Sequence, residues 1–143
     1  MTATVEEGLF LYLTQNTAIQ ATLPENGLFM GYTPEGAPNP SLMFKKISGN
    51  HDTTLNGPSG YAENRFQFTA TASDVNNTPG SGYVSSQLLI STLRQQLNGL
   101  NGTLPNGVRL FNSILDNDLD YYDEDDQEHQ AVQDYIISWQ QNP

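Results

Sequence analysis

The sequence SLMFKKIS at residues 41–48, followed by GNHDTTLNGPSG at 49–60 and AENRFQFTATA at 62–72, reads as a strand, an exposed connection and a returning strand. In the returning strand, apolar Phe66, Phe68, Ala70 and Ala72 alternate with polar residues at the odd positions from 63 to 71. A period of two is typical of an antiparallel strand with one covered and one solvated face. Because the connection is too long and polar for a minimal turn, we expect a projecting hairpin.

A first helix is predicted over residues 5–15, since Thr4 and Glu7 have the spacing of a capping box. Residues 17–23 are expected to form an irregular turn packed through Ile19 and Leu23, and residues 28–32 a short strand.

A second helix is predicted over residues 82–98, with Ser81 as its cap and Asn98-Gly99 as its end. Leucines recur at 89, 93, 97 and 100, with Val84 and Leu88 beside them, and this helical spacing indicates the buried face.

Two strands are predicted near the C-terminus, over residues 108–115 and 131–140, the second with Tyr135, Ile137 and Trp139 on one face. We therefore expect residues 1–143 to form one α+β domain. It consists of a mainly antiparallel sheet of four to five strands, two helices packed on one face, and a long projecting hairpin. The other face of the sheet is expected to be polar and available.

The charge of the chain is strongly acidic, at −11, and there is no cysteine. Disulfides, thiolate zinc sites and thiol catalysis are thereby excluded. With five Lys and Arg residues, specific binding to duplex DNA is not expected. No apolar run has the length of a membrane span, and Glu6 and Glu7 stand where a signal peptide would carry basic residues. We expect a soluble protein made in a cytoplasm, without membrane association.

The acidity is concentrated between residues 116 and 128. Asp116, Asp118 and Asp120 match the first ligand positions of a calcium loop, but Tyr121 replaces the required glycine and Gln127 the bidentate glutamate. A divalent-cation site is therefore an alternative, and a solvated, self-repelling loop between two strands is the favoured interpretation.

Residues suited to catalysis are few. His51 and His129 lie in different predicted loops and neither belongs to a nucleophile motif, so neither a catalytic residue nor a cofactor site is predicted. Lys45, Lys46, Arg65 and Arg109 lie on predicted strands. They form either a small basic patch or, as we favour, cross-strand pairs with Glu63 and other carboxylates.

Several short motifs together resemble one protein family. They are Ile47-Ser48-Gly49, Leu55-Asn56-Gly57, Arg65-Phe66-Gln67-Phe68, Gly107-Val108-Arg109, Ser113-Ile114, Asp120-Tyr121-Tyr122-Asp123 and a terminal strand that ends at Trp139. In this order and spacing, the chain resembles the tail completion proteins of long-tailed bacteriophages, also called tail-to-head joining or tail terminator proteins. The acidic stretch and the asparagine-rich loop before the second helix depart from the family pattern.

The resemblance implies a virion protein without enzymatic activity or cofactor, assembled in the cytoplasm of the infected bacterium. It implies a ring, hexameric in this family, at the head-tail junction, which ends the tail tube and docks on the head connector or stopper protein while DNA passes through its lumen. Another ring of the phage neck, such as a head-completion protein, is the alternative.

Two segments are candidate interaction surfaces. The hairpin connection is expected to contact an adjacent subunit, the tail tube protein or the head connector, through Asn50, His51, Asp52, Thr53, Thr54, Leu55, Asn56, Gly57, Pro58 and Tyr61. The acidic segment is expected to face either a lumen, where it repels DNA phosphates, or a basic partner. Its residues are Asp116, Asp118, Asp120, Asp123, Glu124, Asp125, Asp126 and Glu128.

Overall fold

The computed structural model describes residues 4–54 and 57–140, and the side chains of residues 50–60 lie outside this description. The elements, in chain order, are α1 (Val5–Gln15), α2 (Thr17–Gln20), β1 (Leu28–Met30), β2 (Ser41–Thr54), β3 (Gly57–Ala72), α3 (Ser81–Leu97), β4 (Gly102–Thr103), β5 (Arg109–Asp123) and β6 (Glu128–Gln140). No helix within these residues has the length and apolarity needed to cross a bilayer.

The strands form one six-stranded sheet in the order β1-β2-β3-β6-β5-β4. Every pairing is antiparallel except that of β1 with β2, which is parallel, so the sheet is mixed. The predicted α+β class is confirmed. The strand count was underestimated, because β4, an edge strand of two residues, was not predicted.

The core lies between the sheet and the helices. The alternation predicted for β3 is confirmed, since Phe66, Phe68, Ala70 and Ala72 are all buried. Phe68 stacks on Phe44 of β2, with ring centroids 5.2 Å apart, and meets the ring of Tyr135 edge-on at 5.5 Å. The helices cover this face with Val5, Leu9 and Leu13 from α1 and Leu89, Leu93 and Leu97 from α3. We call the opposite side of the sheet the open face.

The N-terminal ends of α1 and α3 are capped in different ways, one of them predicted from the sequence and the other not. At α1 the predicted cap is confirmed, because the Glu7 backbone N–H donates to Thr4 Oγ1 at 3.2 Å. At α3 the predicted Ser81 cap is wrong. The Asp74 carboxylate accepts instead from the backbone N–H groups of Gly82, at 2.7 Å, and Gly80, at 3.2 Å. Asp74 lies two residues after the end of β3, so the segment that leaves the strand anchors the helix.

The apolar face of α3 was predicted only in part. Leu89, Leu93 and Leu97 are buried, whereas Val84 is 66% and Leu88 58% exposed. These two lie one turn apart on the outer surface of α3 and do not contribute to the core.

The hairpin is longer and more regular than predicted. Residues 49–54 and 57–60 were expected to form a loose connection, but they continue strands β2 and β3. The ladder accommodates the polar residues through register shifts between Lys46 and Ser48 and between His51 and Thr53, which are typical of β-bulges. Leu55 and Asn56 lie outside the described residues. Among those described, β6 pairs with β3 only as far as Tyr61, so the hairpin extends beyond the sheet there.

The acidic segment is mostly strand rather than loop, which corrects the prediction. Residues 116–123 belong to β5, and residues 117–123 pair with residues 128–134 of β6, leaving only 124–127 as a turn. Leu119 lies opposite Val132 and Tyr121 opposite Gln130. The alternating apolar residues and the partner strand together outweigh the low strand propensity of aspartate.

Candidate interaction surfaces

The open face is polar at its centre. Arg65 on β3 forms ion pairs with Asp116 of β5 and with Asp134 of β6, the latter at 3.5 Å. The hydrogen bond to Asp116 is the main reason why the pKa of Arg65 lies above its usual range. The predicted pairing of a strand cation with carboxylates is confirmed for Arg65. Because two carboxylates share one guanidinium, this cluster carries a net negative charge.

Asp134 is the unusual member of this cluster. The residue is 8% exposed, and its Oδ1 atom is buried without a hydrogen-bond partner in the described part of the chain. A buried carboxylate oxygen without a partner is costly, so Asp134 depends on Arg65 for its stabilisation.

Aromatic side chains lie on the open face at the base of the hairpin. The rings of Tyr61 and Phe111 stack with centroids 6.0 Å apart, and the Arg109 guanidinium lies 5.9 Å from the Phe111 centroid. The Tyr61 hydroxyl donates to Ser138 Oγ at 3.0 Å. Tyr61 was a predicted interface residue. Phe111, which is 42% exposed, was missed, although an aromatic residue out of phase with the buried Leu110 is a recognisable signal.

The remaining predicted hairpin residues cannot be placed as side chains. Those from Asn50 to Thr54, with Gly57 and Pro58, lie on described backbone, but their side chains, like the whole of Leu55 and Asn56, fall outside the description. Their role in an interface remains a prediction.

The acidic residues do not converge. Asp116 turns to Arg65 on the open face, whereas Asp120 on the helix side accepts from Gln87 Nε2 at 2.7 Å and from the Tyr83 hydroxyl at 3.3 Å. The charge of Asp120 raises the pKa of Tyr83. Among the side chains that the structure describes, no three from His, Asp or Glu are grouped as metal ligands. Asp116 and Asp120, the first and third positions of the possible calcium loop, thus bind separate partners.

The turn between β5 and β6 carries its own carboxylates. Asp123 accepts from the backbone N–H groups of Asp125 and Asp126, at 3.0 and 3.2 Å, and so shapes the turn. Burial raises the pKa of Glu128, and the nearby charges of Asp126 and Asp123 raise it further.

A surface pocket of about 640 Å³ lies on the open face at the opposite end from the hairpin tip. The segment 33–39 forms one wall, Met43, Thr69 and Thr71 the floor, and Asp126 and Glu128 the rim. The lining is mostly polar. Its carboxylates are those of Asp126 and Glu128 on the rim and of Glu35 in the wall.

His129 packs among aromatic residues on the helix side. Its ring centroid lies 4.7 Å from that of Tyr122 and 5.8 Å from that of Tyr83, and its Nε2 is 3.7 Å from Asp74 Oδ1. His129 therefore links the start of β6 to the N-terminal end of α3. His51, the other histidine, belongs to the residues whose side chains are not described.

Comparisons with known proteins identify the fold. No protein-family model matches the chain, and no curated protein matches it by sequence. A chain from the virion of a native gene transfer agent particle shares 10% identity and a TM-score of 0.75, over 95% of this chain and 94% of that chain. A second solved structure, whose name gives no function, shares 11% identity and a TM-score of 0.61 over 99% of each chain. At such identities the likeness shows a shared fold, over nearly the whole length of both chains.

Proposed function

We propose that this chain is a structural, non-enzymatic subunit of a phage-type virion, located where the tail meets the head. There it ends the tail tube and joins it to the head connector. The observation that carries the proposal is the likeness in fold to a chain of the gene transfer agent virion, with a TM-score of 0.75 over 95% of this chain. The motifs that resemble tail completion proteins narrow the position within the particle. Fold alone does not define function, so the position requires its own test.

In this role several copies of the chain form a ring, and the resemblance to tail completion proteins implies that the ring has six copies. The hairpin of β2 and β3 is the element that we propose contacts a neighbouring subunit, the tail tube protein or the head connector. Its base presents Tyr61 and Phe111, an aromatic pair, and Tyr and Phe are enriched at protein interfaces. Its strands extend past the described end of β6, so among the described residues no strand of this chain other than β2 pairs with β3 there, and we propose that a partner strand adds at this place.

The acidic turn suits a ring through which DNA passes. Glu124, Asp125 and Asp126 are exposed and lie within a chain whose charge is −11. Carboxylates that face a lumen repel phosphates, so we propose that this turn lets DNA pass without binding it. Particles carrying Asp125→Lys and Asp126→Lys should then eject DNA more slowly than wild-type particles, with the difference shrinking at high salt. Equal ejection rates would place the turn away from the DNA.

The proposal is tested by disrupting the gene in a particle-producing strain and imaging the lysate by negative stain. We expect filled heads and separate tail tubes of irregular length, with joined particles restored by the wild-type gene. Finished tails beside heads that have lost DNA would favour a head-completion ring instead. Normal particles would contradict both assignments.

A deletion tests the hairpin within the same experiment. Removal of residues 53–59 shortens the hairpin beyond the part that pairs with β6, so the core should fold as judged by circular dichroism. We expect the shortened protein to be folded and unable to restore joined particles. Restoration at the wild-type level would remove the hairpin from the assembly surface.

A further inference from the structure

The sheet has two open edges, and they carry opposite charge. On one edge, β1 pairs with β2 only through Leu42, Met43 and Phe44, so β2 is uncovered from Lys45 onward in the described chain. On the other edge, β4 pairs with Arg109 and Leu110, while Asn98 and Gly99 supply hydrogen bonds to Leu115 and Ser113. Beyond them the described part of β5 is uncovered, and it carries Asp116, Asp118, Asp120 and Asp123.

We propose that copies of this chain associate head to tail through these edges, the uncovered part of β2 in one copy adding to the uncovered part of β5 in the next. The inference rests on the ring of the proposed function and specifies the surfaces that build it. Exposed Lys45 and Lys46, the only lysines of the chain, then meet the aspartates of β5.

Charge selects this arrangement over a two-fold dimer. Two β5 edges facing each other would oppose aspartate to aspartate, and two β2 edges would oppose lysine to lysine. Like charges directly opposite each other in a sheet are destabilising, whereas opposite charges stabilise it. A heterologous contact of this kind produces a ring when the rotation closes.

Strand direction is compatible with the same contact. Successive pairings from β2 through β3 and β6 to β5 are all antiparallel, so β2 and β5 run in opposite directions. A neighbouring copy in the same orientation therefore places its β2 antiparallel to β5. The sheet then continues from one copy to the next in its own pattern.

The register of the sheet fixes where the edges can meet. Lys45 pairs with Gln67, Gln67 with Asp134, and Asp134 with Asn117, so Lys45 and Asn117 stand at the same level on opposite edges. From this level the open part of β2 runs one way and that of β5 the other. Two copies must therefore be offset along the strands before the open parts overlap.

An offset of about four residues, roughly 13 Å at the rise of a strand, brings Lys46 opposite Asp120. Residues 45–50 then face residues 117–121, between the Asn98 cap at one end and the partner's β1 at the other. Across four strand spacings this offset corresponds to a tilt of roughly 35°, which is common in closed sheets.

Backbone and side-chain orientations agree with this register. Leu42 and Phe44 direct their backbone groups to the β1 side, so Lys46, two residues further, directs its own to the open edge. Ser113 and Leu115 direct their backbone groups to the outer edge of β5. The register shift before Asn117 inserts one residue, so beyond it the even-numbered residues Asp118 and Asp120 direct their backbone groups to that edge. Lys46 pairs with Phe66, and Asp120 pairs with Ala131, which in turn pairs with Ala70. Because Phe66 and Ala70 face the helices, the side chains of Lys46 and Asp120 lie on the helix side of the sheet.

Apolar side chains adjoin both edges and supply the burial that an interface needs. Ile47, beside the two lysines, is 42% exposed. On α3, Val84 and Leu88 are exposed and directly follow Tyr83 and Gln87, whose side chains bind Asp120 on the β5 edge. Val84 and Leu88, which do not contribute to the core, thus lie beside the proposed contact.

Zero-length cross-linking with a carbodiimide, which joins an amine to a carboxylate, tests the contact on the native protein. A mixture of ¹⁴N- and ¹⁵N-labelled protein is cross-linked at increasing concentration, digested and analysed by mass spectrometry. We expect mixed-isotope peptides that join Lys46 to Asp120 or Asp118. The variant with Lys45→Arg and Lys46→Arg keeps the charge but lacks the amine, so it should assemble and lose these peptides.

Charge reversal provides the second measurement. Lys46→Glu should lower the associated fraction at least tenfold, and Asp120→Lys in the same chain should recover much of it. Circular dichroism controls for folding, because Asp120 also binds α3. The inference is overturned by a monomer at all concentrations, by mixed peptides that join the lysines to carboxylates elsewhere, or by Lys46→Glu associating like the wild type. Those outcomes leave the virion location, which is tested by gene disruption, unaffected.

Discussion

Phe68→Ala is the substitution that most directly tests how the sheet is held to the helices. The Phe68 side chain is fully buried, stacks on Phe44 at 5.2 Å and meets Tyr135 edge-on at 5.5 Å. Truncation removes a ring that contacts two neighbouring strands, and the surrounding core cannot close over the space because both neighbours belong to paired strands. Thr69→Ala, one residue further on the open face, is the matched control.

The expected cost follows from the burial of the ring. Replacing a buried phenylalanine by alanine lowers the free energy of unfolding by about 3–5 kcal/mol. For a domain of this size each kcal/mol lowers the thermal midpoint by about 2–4 °C. We therefore expect Phe68→Ala to lower it by about 10–15 °C, whereas Thr69→Ala should change the free energy of unfolding by less than about 1 kcal/mol.

Urea unfolding followed by circular dichroism measures both variants at one temperature. We expect a lower midpoint for Phe68→Ala at an unchanged slope, which indicates lost stability rather than a changed compactness of either state. Equal midpoints for the two variants would refute the assignment of the even-numbered residues of β3 to the core.

Three further predictions concern the end of β3 and the open face. Asp74→Asn should lower the urea midpoint at neutral pH. Because the folded pKa of Asp74 lies below its ordinary value, this contribution should be lost as the pH falls through the folded pKa, where variant and wild type converge. Gly82→Ala places a methyl group 2.7 Å from the Ser73 backbone carbon and should cost more than Gly80→Ala, where there is room but φ is +84°; thermal midpoints compare them. Arg65→Met should lower the thermal midpoint by an amount that decreases with added salt, and a salt-independent loss would indicate packing instead.

Local patterns in the sequence predicted the central part of the fold. The period of two in β3, the Thr4 cap and the leucine spacing of α3 all report contacts that each element makes regardless of its neighbours. Parallel pairing of β1 with β2 and the Asp74 cap could not be predicted in this way. The first joins strands that meet only when the sheet forms, and the second depends on how residues 74–80 turn between β3 and α3.

The acidic segment was wrongly predicted as a loop, because its strand structure depends on a partner strand. A run of aspartates indicates a loop when each residue is considered alone, yet Leu119 and Tyr121 keep a period of two within it. Pairing with Val132 and Gln130 of β6 turns that weak pattern into a strand. Val84 and Leu88 were wrongly assigned to the core, because the helical spacing of apolar residues does not show which side of α3 packs against the sheet.

Mass spectrometry of purified particles, combined with a reconstruction of the head-tail junction, tests the central claim most directly. We predict that the chain is present at a low, fixed copy number consistent with one ring, with density for its six-stranded sheet between the tail tube and the head connector. Absence of the chain from joined, DNA-filled particles would contradict the proposed function.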